Sequence, residues 1–470
     1  MRHGLLPVNG TQHLATVQGH VDVKISTASP APEAGAGTPE RKSLSPGRPW
    51  AQAVRESGLA VLIFCFLSWA VNDNRLGWFS DSLSDAQDKA YDALASLEYH
   101  FPSPVAPPPG TPPVVFVDID DASLSAVNIS PYLFHRGLLA ALLTKLSGQQ
   151  PKAIYVDLNL STASQEPDLT QTGPARFPRS PGDQALLKVL STPHPFPLLL
   201  SQPKVFGESV VRLGGSSCWV TPAVITDSGD TVRRIPRRWK NGPYPASEAL
   251  FRAAQPGGFQ CPEATQVTFP PKDIYRTSLY GEPILLHEIQ GADAPTFTWP
   301  GLTVVDARSV LSGEGIQLEP GALVVVGRTD RGNQDMHSSA VGEMAGVKLH
   351  LNALMTLLTY RHPVVPLDPL LSAGLAFASM LLAILVAPPL SLLLTRQLGR
   401  LGLRRELGNV FEHPIMWGLL FGAAFMAYRY GGRFLDYALP IVSLELARLA
   451  LSRQTSKLAT KTLKMAKVLN

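Results

Sequence analysis

Four uncharged or nearly uncharged apolar runs, each bounded by basic residues, constrain this chain more than any other feature. They cover residues 56–72, 369–395, 414–428 and 434–452. A helix that crosses a bilayer needs about 20 apolar residues, so the second run is ample and the others are short but adequate with interfacial flanks. Lysine and arginine cluster beside them: Arg41, Lys42, Arg48 and Arg55 before the first, Arg396, Arg400, Arg404 and Arg405 between the second and third, and Arg453, Lys457, Lys461, Lys464 and Lys467 after the fourth. The positive-inside rule places all three basic clusters in the cytoplasm. Four spans then put residues 73–366 outside and both termini inside, the arrangement expected of a multi-pass membrane protein.

Composition agrees with a lipid-embedded part, because charged residues make up 17% of the chain, against about 25% for soluble domains. The formal net charge of +4 is small and its cations are dispersed, which argues against nucleic acid as a partner. Residues 1–55 are rich in Pro, Ala, Gly and Ser and read as a disordered cytoplasmic tail, and 453–470 as a basic one. In the latter, Leu458, Met465 and Leu469 share a helical stripe beside lysines, a pattern for a partner helix or for anionic lipid. Glu445 and Arg448, three apart in the last run, are expected to pair with each other or to lie near the interface.

The outer segment carries an α/β pattern. VVFVDID (114–120) and KAIYVDL (152–158) read as buried strands flanking an amphipathic helix, HRGLLAALLTKLSG (135–148), which gives a βαβ unit. LVVVG (323–327) adds a core strand, while 161–197 and 254–283 read as surface loops and 350–359 as a helix opened by His350. The fold class is therefore an α/β extracytoplasmic domain with one helical span before it and three after. Cys218 and Cys261 lie outside the membrane and either bridge or remain two buried thiols.

Several motifs together resemble the extracellular CHASE sensor domain of the second type, a family associated with cyclases and histidine kinases. They are Tyr91-Asp92 after the first span, VDIDDASL (117–124), Arg136 at a helix start and PKAIYVDLNLS (151–161) with Asp157. GDQALLKVL (182–190) and SGDTVRRIP (228–236) continue the series. The stretch 324–358 then matches its Val-Gly, Asp-x-His and His-x-Asn landmarks, with Ala345 where the family has Pro. The resemblance covers about 56–452 and implies a sensory function.

Candidate ligand-binding residues follow. Asp118, Asp120, Asp121 and Asp157 sit at strand ends, where open α/β sheets bind ligands. They form either a cation or polar-ligand site or the caps of the next helix, with Asp121 or Ser123 serving it. The Asp-x-Asp also fits a haloacid-dehalogenase-type phosphotransferase, but its other catalytic groups are not identifiable. Asp335, His337, His350 and Asn352 form a second group, suited to metal or proton sensing or to a structural knot. Arg136 completes the family series, and Arg233 with Arg234 can hold an anion bidentately or line an exposed hairpin edge.

Residues 453–470 leave no room for an output enzyme, and no P-loop, kinase loop or nucleophile elbow occurs. The expectation is a non-enzymatic, cofactor-free sensor. Its partners would be a small-molecule or ionic ligand, the lipid bilayer, a separate cytoplasmic effector protein and, as an option, a second copy of the chain. A scaffold subunit of an envelope complex is the alternative.

Overall fold

The computed structural model describes residues 48–72, 78–100, 105–126, 136–161, 180–214, 216–226, 231–236, 238, 242–261, 281–283, 299–313, 317–330, 335–362, 365–366, scattered positions between 374 and 397, 408–434 and 437–452. The expected tails, apart from 48–55, and the greater part of the two expected loops lie outside these residues.

A six-stranded parallel sheet forms the centre. Its strands are β1 (Val114–Ile119), β2 (Ala153–Asp157), β3 (Leu198–Leu200), β6 (Ser217–Trp219), β10 (Leu302–Asp306) and β11 (Leu323–Arg328), and their spatial order is β10-β1-β11-β2-β3-β6. The two valine-rich strands β1 and β11 are buried on both faces, which is why they read as unbroken apolar runs. Alternate residues feed two cores. Val115, Val117, Ile154, Val156, Val324 and Val326 join α4 (Arg136–Ser147), α5 (Pro181–Ser191) and α8 (Ala307–Ser312). Val114, Phe116, Tyr155, Leu323 and Val325 join α2 (Trp78–Tyr99), α7 (Ala246–Ala254) and α9 (Gly346–Tyr360). The domain is thus a three-layer α/β/α sandwich.

Local sequence explains the helix starts. Ser180 and Asp183 form a reciprocal capping box around Pro181 at the start of α5, so a helix interrupts the stretch expected to be loop. Gly327 lets α9 lie on β11, because a Cβ there would meet Val347 Cγ2 at 2.4 Å. α9 also begins earlier than expected. Gly346 donates its N–H to Asp335 O at 2.8 Å and would drive a Cβ into the Asp335 carboxylate, so His350 sits in the second turn rather than opening the helix.

A smaller sheet, in the order β13-β12-β8-β7 with β9 on β8, comprises β7 (Ile225–Thr226), β8 (Thr231–Pro236), β9 (Gly281–Pro283), β12 (Met336–Ser339) and β13 (Gly342–Ala345). The β12–β13 hairpin leads directly into α9, and β4 (Lys204–Val205) and β5 (Glu208–Ser209) pair as a separate short hairpin just before α6 (Val210–Leu213). Cys218 and Cys261 form a disulfide with Cα atoms 5.5 Å apart.

Helix α1 spans Arg48–Asn72, so residues 48–55 are helical and not part of a disordered tail. A long helix follows the domain at Gly408–Gly431 and another occupies 438–452. Ala60, Phe64 and Leu67 of α1 pack with Met380, Met416, Leu420, Leu444 and Ala447 in a core of their own. Arg448 reaches Glu56 of α1, with Nε 3.5 Å from Oε2, a partner on another helix. Among the described residues, no helix is long and apolar enough to cross a membrane.

Candidate functional site

Register aligns carboxylates at the C-terminal edge of the large sheet. Asp118 pairs with Asp306 on one side and with Gly327 on the other, and Gly327 in turn pairs with Asp157. Three of four neighbouring parallel strands therefore carry an aspartate at this edge. Asp306 was not among the residues expected from sequence, although LTVVD before a helix repeats the apolar-Asp signal. It caps α8, accepting from Ser309 N and Ser309 Oγ, each at 2.7 Å.

Asp118 is 2% exposed and accepts from Thr329 Oγ1 at 2.7 and 2.8 Å. Burial pushes its carboxyl up to about 6; Thr329 and the Lys348 charge oppose this, while Asp120 and Asp330 reinforce it. Asp120 accepts from Ser123 N at 2.7 Å, so the cap of α3 (Asp121–Ala126) is Asp120 rather than the expected Asp121 or Ser123. Asp121 itself is exposed in the first helical turn. Arg328 closes on Asp330 through two bonds of 2.6 Å.

Arg136 opens α4 as expected. Its Nη2 donates to Asn159 O at 3.0 Å, and its guanidinium lies 5.6 Å from the Phe206 ring centroid. Burial lowers its pKa, Asp183 counteracts this, and Arg328 adds to it.

Asp157, Asp335, His337 and His350 come together around Tyr155. Tyr155 OH donates to Asp157 Oδ1 at 2.8 Å, and the His350 ring stands edge-on to Tyr155 at 6.0 Å. Burial raises the Asp157 carboxyl, opposed by His350, the Tyr155 hydrogen bond and His337, and reinforced by Asp335. His337 Nε2 lies 2.9 Å from Asp335 Oδ1. That bond holds Asp335 below its ordinary value against the effect of burial, and raises His337.

Asn352 stands apart from this group. It is fully buried, accepts from Trp299 Nε1 at 2.9 Å and donates to Lys348 O at 2.9 Å. It fixes α9 to the segment before β10, a role invisible without Trp299.

Arg233 lies elsewhere, and not on the exposed hairpin edge that was one of its two readings. It is buried, and its Nε and Nη2 donate to Asp92 at 2.6 and 2.5 Å. Arg234 donates to Asp88 at 2.8 Å. Both arginines are held by the acidic face of α2, whose Tyr91 OH also donates to Arg233 O at 3.4 Å.

The edge thus offers buried carboxylates, a buried imidazole and a phenol beside the more exposed Asp335 and His337, suited to small polar or cationic ligands and to protons. Among the described residues, no group of three or more His, Cys, Asp or Glu side chains is placed to hold a metal ion. A narrow apolar cleft lined by Ile119, Ser123, Leu124, Leu138, Leu142, Ala307 and Leu311 adjoins the Asp120 cap.

In comparisons with known proteins, the family model described as CHASE2 domain matches residues 60–387, well over half of the chain. No curated protein and no solved structure matches.

Proposed function

The chain belongs to the CHASE2 domain family, a family of sensory extracellular domains, and from that premise we propose that it is a membrane-anchored sensor. Its α/β domain binds a ligand at the C-terminal edge of the sheet on the outer side of a bacterial cytoplasmic membrane. The apolar runs 56–72, 369–395, 414–428 and 434–452 carry the response to a cytoplasmic effector.

The observation that carries this reading is a shared core. Ala424, Phe425 and Tyr428 of the Gly408–Gly431 helix belong to the same buried cluster as Phe116, Tyr155 and Val325 of the sheet. Tyr91 of α2 bridges them, with Tyr428 and Phe434 edge-on at 5.8 Å each. A rearrangement at the sheet edge is transmitted by packed side chains that lead to the helices, and a ligand drives it by binding one packing better than the other.

Further features support the membrane part. Leu62, Phe66, Leu382, Leu393, Met426 and Leu449 are exposed while their helices bury the opposite faces against one another, as helices in lipid do. Glu56 near the start of α1 meets Arg448 near the end of the last helix, in keeping with two termini on one side. The Cys218–Cys261 disulfide suits an oxidising compartment.

The test labels intact cells and spheroplasts with an impermeant thiol reagent, using Lys204→Cys or Ser456→Cys in a Cys65→Ser background. Labelling at 204 and protection at 456 until lysis is the expected result. Equal labelling at both positions would sink the topology, and full chain that shows no thermal stabilisation across a broad ligand screen would sink the sensor.

A further inference from the structure

An open pocket of about 370 Å³ lies beside the last turn of α7, a volume typical of small-ligand sites. Tyr244 and Phe259 form its apolar corner, standing edge-on with ring centroids 5.3 Å apart. Arg252 and Gln255 supply its polar wall, and among the described residues its lining contains no carboxylate. Gln255 Nε2 is buried and has no hydrogen-bond partner, a donor left without an acceptor. Arg238 and Arg252 both lie against the Tyr244 ring, their guanidinium carbons 3.7 and 4.7 Å from its centroid. Glu248 accepts from Arg252 at 2.9 Å and balances that charge. Arg238 instead donates to two neutral acceptors, Gly242 O at 3.3 Å and Tyr244 OH, which leave its charge unbalanced. The negative end of α7 would repel an anion here, but Lys152 Nζ donates to Ala254 O at 2.8 Å and offsets it. Gly257 and Gly258 turn the chain along the far wall with φ of 96° and 69°, and the Cys218–Cys261 disulfide ties that wall to β6.

We propose that this pocket binds a small organic anion, a carboxylate or phosphate ester joined to a compact apolar group. The anionic end meets the Arg238 and Arg252 guanidiniums and the Gln255 amide, and the apolar body lies in the Tyr244–Phe259 corner. Guanidiniums suit such oxyanions because they offer parallel N–H donors as well as charge. The site is separate from the aspartate edge. Lys152 directly precedes β2, so the end of α7 that it contacts lies at the N-terminal edge of the large sheet, opposite Asp157. The inference goes beyond the sensor reading and stands without it.

The experiment follows hydrogen exchange of peptides covering 242–260 in full-length chain held in phosphatidylcholine nanodiscs, titrated with phenyl phosphate, benzoate, inorganic phosphate or phenol. Phenyl phosphate and benzoate should slow exchange saturably. Inorganic phosphate, which lacks the apolar contact, should bind about tenfold more weakly than phenyl phosphate, and phenol should have no effect. Arg238→Gln and Arg252→Gln replace exposed side chains, so both variants should fold, and each should weaken phenyl phosphate about tenfold. Arg308→Gln, at an exposed arginine of α8, should leave binding unchanged. The proposal is overturned if neither organic anion slows exchange up to millimolar concentration, or if inorganic phosphate or phenol matches phenyl phosphate. It is equally overturned if Arg238→Gln and Arg252→Gln bind as the wild type does, or if Arg308→Gln weakens binding as much as they do. Protection that appears only when phosphatidylglycerol replaces phosphatidylcholine also overturns it, because the occupant is then a lipid headgroup. No arm needs a signalling output or a membrane topology, so a failed sensor reading leaves the result interpretable.

Discussion

Arg429 Nη1 donates to Glu98 Oε2 at 2.9 Å with both side chains buried, the glutamate at 1% exposure. Glu98 is at the end of α2, and Arg429 is in the last turn of the helix that follows the domain. Tyr360 at the end of α9 donates its hydroxyl to Arg429 O at 2.6 Å. Gly432 lies so close to the Tyr360 ring that a Cβ would approach it to 2.6 Å. Strands β14 (Val365–Pro366) and β15 (Arg433–Phe434) pair beside them. The exits of α2, α9 and the Gly408–Gly431 helix are therefore joined at one polar knot.

Removing one partner of a buried ion pair strands the other charge, at a cost of about 3–5 kcal/mol, whereas replacing both with apolar groups is often nearly neutral. Arg429→Leu should lower the thermal midpoint of the full chain in detergent sharply, and Glu98→Leu with Arg429→Leu should recover much of the loss. If the knot transmits the signal, the double variant will be stable yet unresponsive to any ligand that stabilises the wild type. Equal responses in the two proteins would assign the knot to stability alone.

Asp118 makes a pH prediction of definite sign. Its folded carboxyl titrates at about 6, above the ordinary value near 4, so the folded state holds the proton more tightly than the unfolded one. The associated stability is present below about pH 4 and is lost as pH rises to about 6, a span worth roughly 3 kcal/mol. Asp118→Asn should flatten that part of the profile and raise the melting temperature at neutral pH. The difference between the wild-type and variant profiles isolates Asp118 from Asp157 and Glu98, which shift in the same direction. A parallel offset without a change of slope would contradict the assignment.

The central strands were legible because buried parallel strands write themselves as valine-rich runs, and the ends of those runs gave Asp118 and Asp157 their places, while Arg136 was placed at its helix start by the family series. Strand order was not legible: β11 enters between β1 and β2, and no local signal fixes where a late strand inserts. The role of α2 was missed for a related reason. Asp92 stood out only within the Tyr91-Asp92 motif and Asp88 not at all, because their arginine partners arrive from 141 and 146 residues away. Gly346 was unremarkable in sequence because its need for a missing side chain comes from Asp335, reached through a hairpin.

The disulfide yields a third prediction. Cys218 and Cys261 are 43 residues apart, and closing a loop of that length restricts the unfolded chain by about 4 kcal/mol in the chain-entropy view. Cys218 is buried beside Val220 and Ala246 in the core of the α2, α7 and α9 face. Cys261 at the other end of the bridge is exposed, so reductant should reach the bond from that side and lower the melting temperature by several degrees once it is broken. A Cys218→Ala, Cys261→Ala chain that melts at the wild-type temperature would show that the bridge is dispensable.

The Arg233–Asp92 pair separates a structural role from a ligand-binding one. The guanidinium makes two charge-assisted bonds to one carboxylate, a fork that lysine cannot reproduce. Asp92 is partly exposed, so the pair is worth less than a fully dry one, and Arg233→Lys should cost about 1–2 kcal/mol. Arg233→Ala should cost more, because Asp92 then loses both donors while Tyr91 keeps its backbone acceptor at position 233. The loss should appear as weaker docking of α2: faster hydrogen exchange in peptides covering 78–99, with exchange in β1 and β11 unchanged. If Arg233→Lys instead leaves α2 protected and abolishes stabilisation by an anionic ligand, the arginine belongs to the binding site after all.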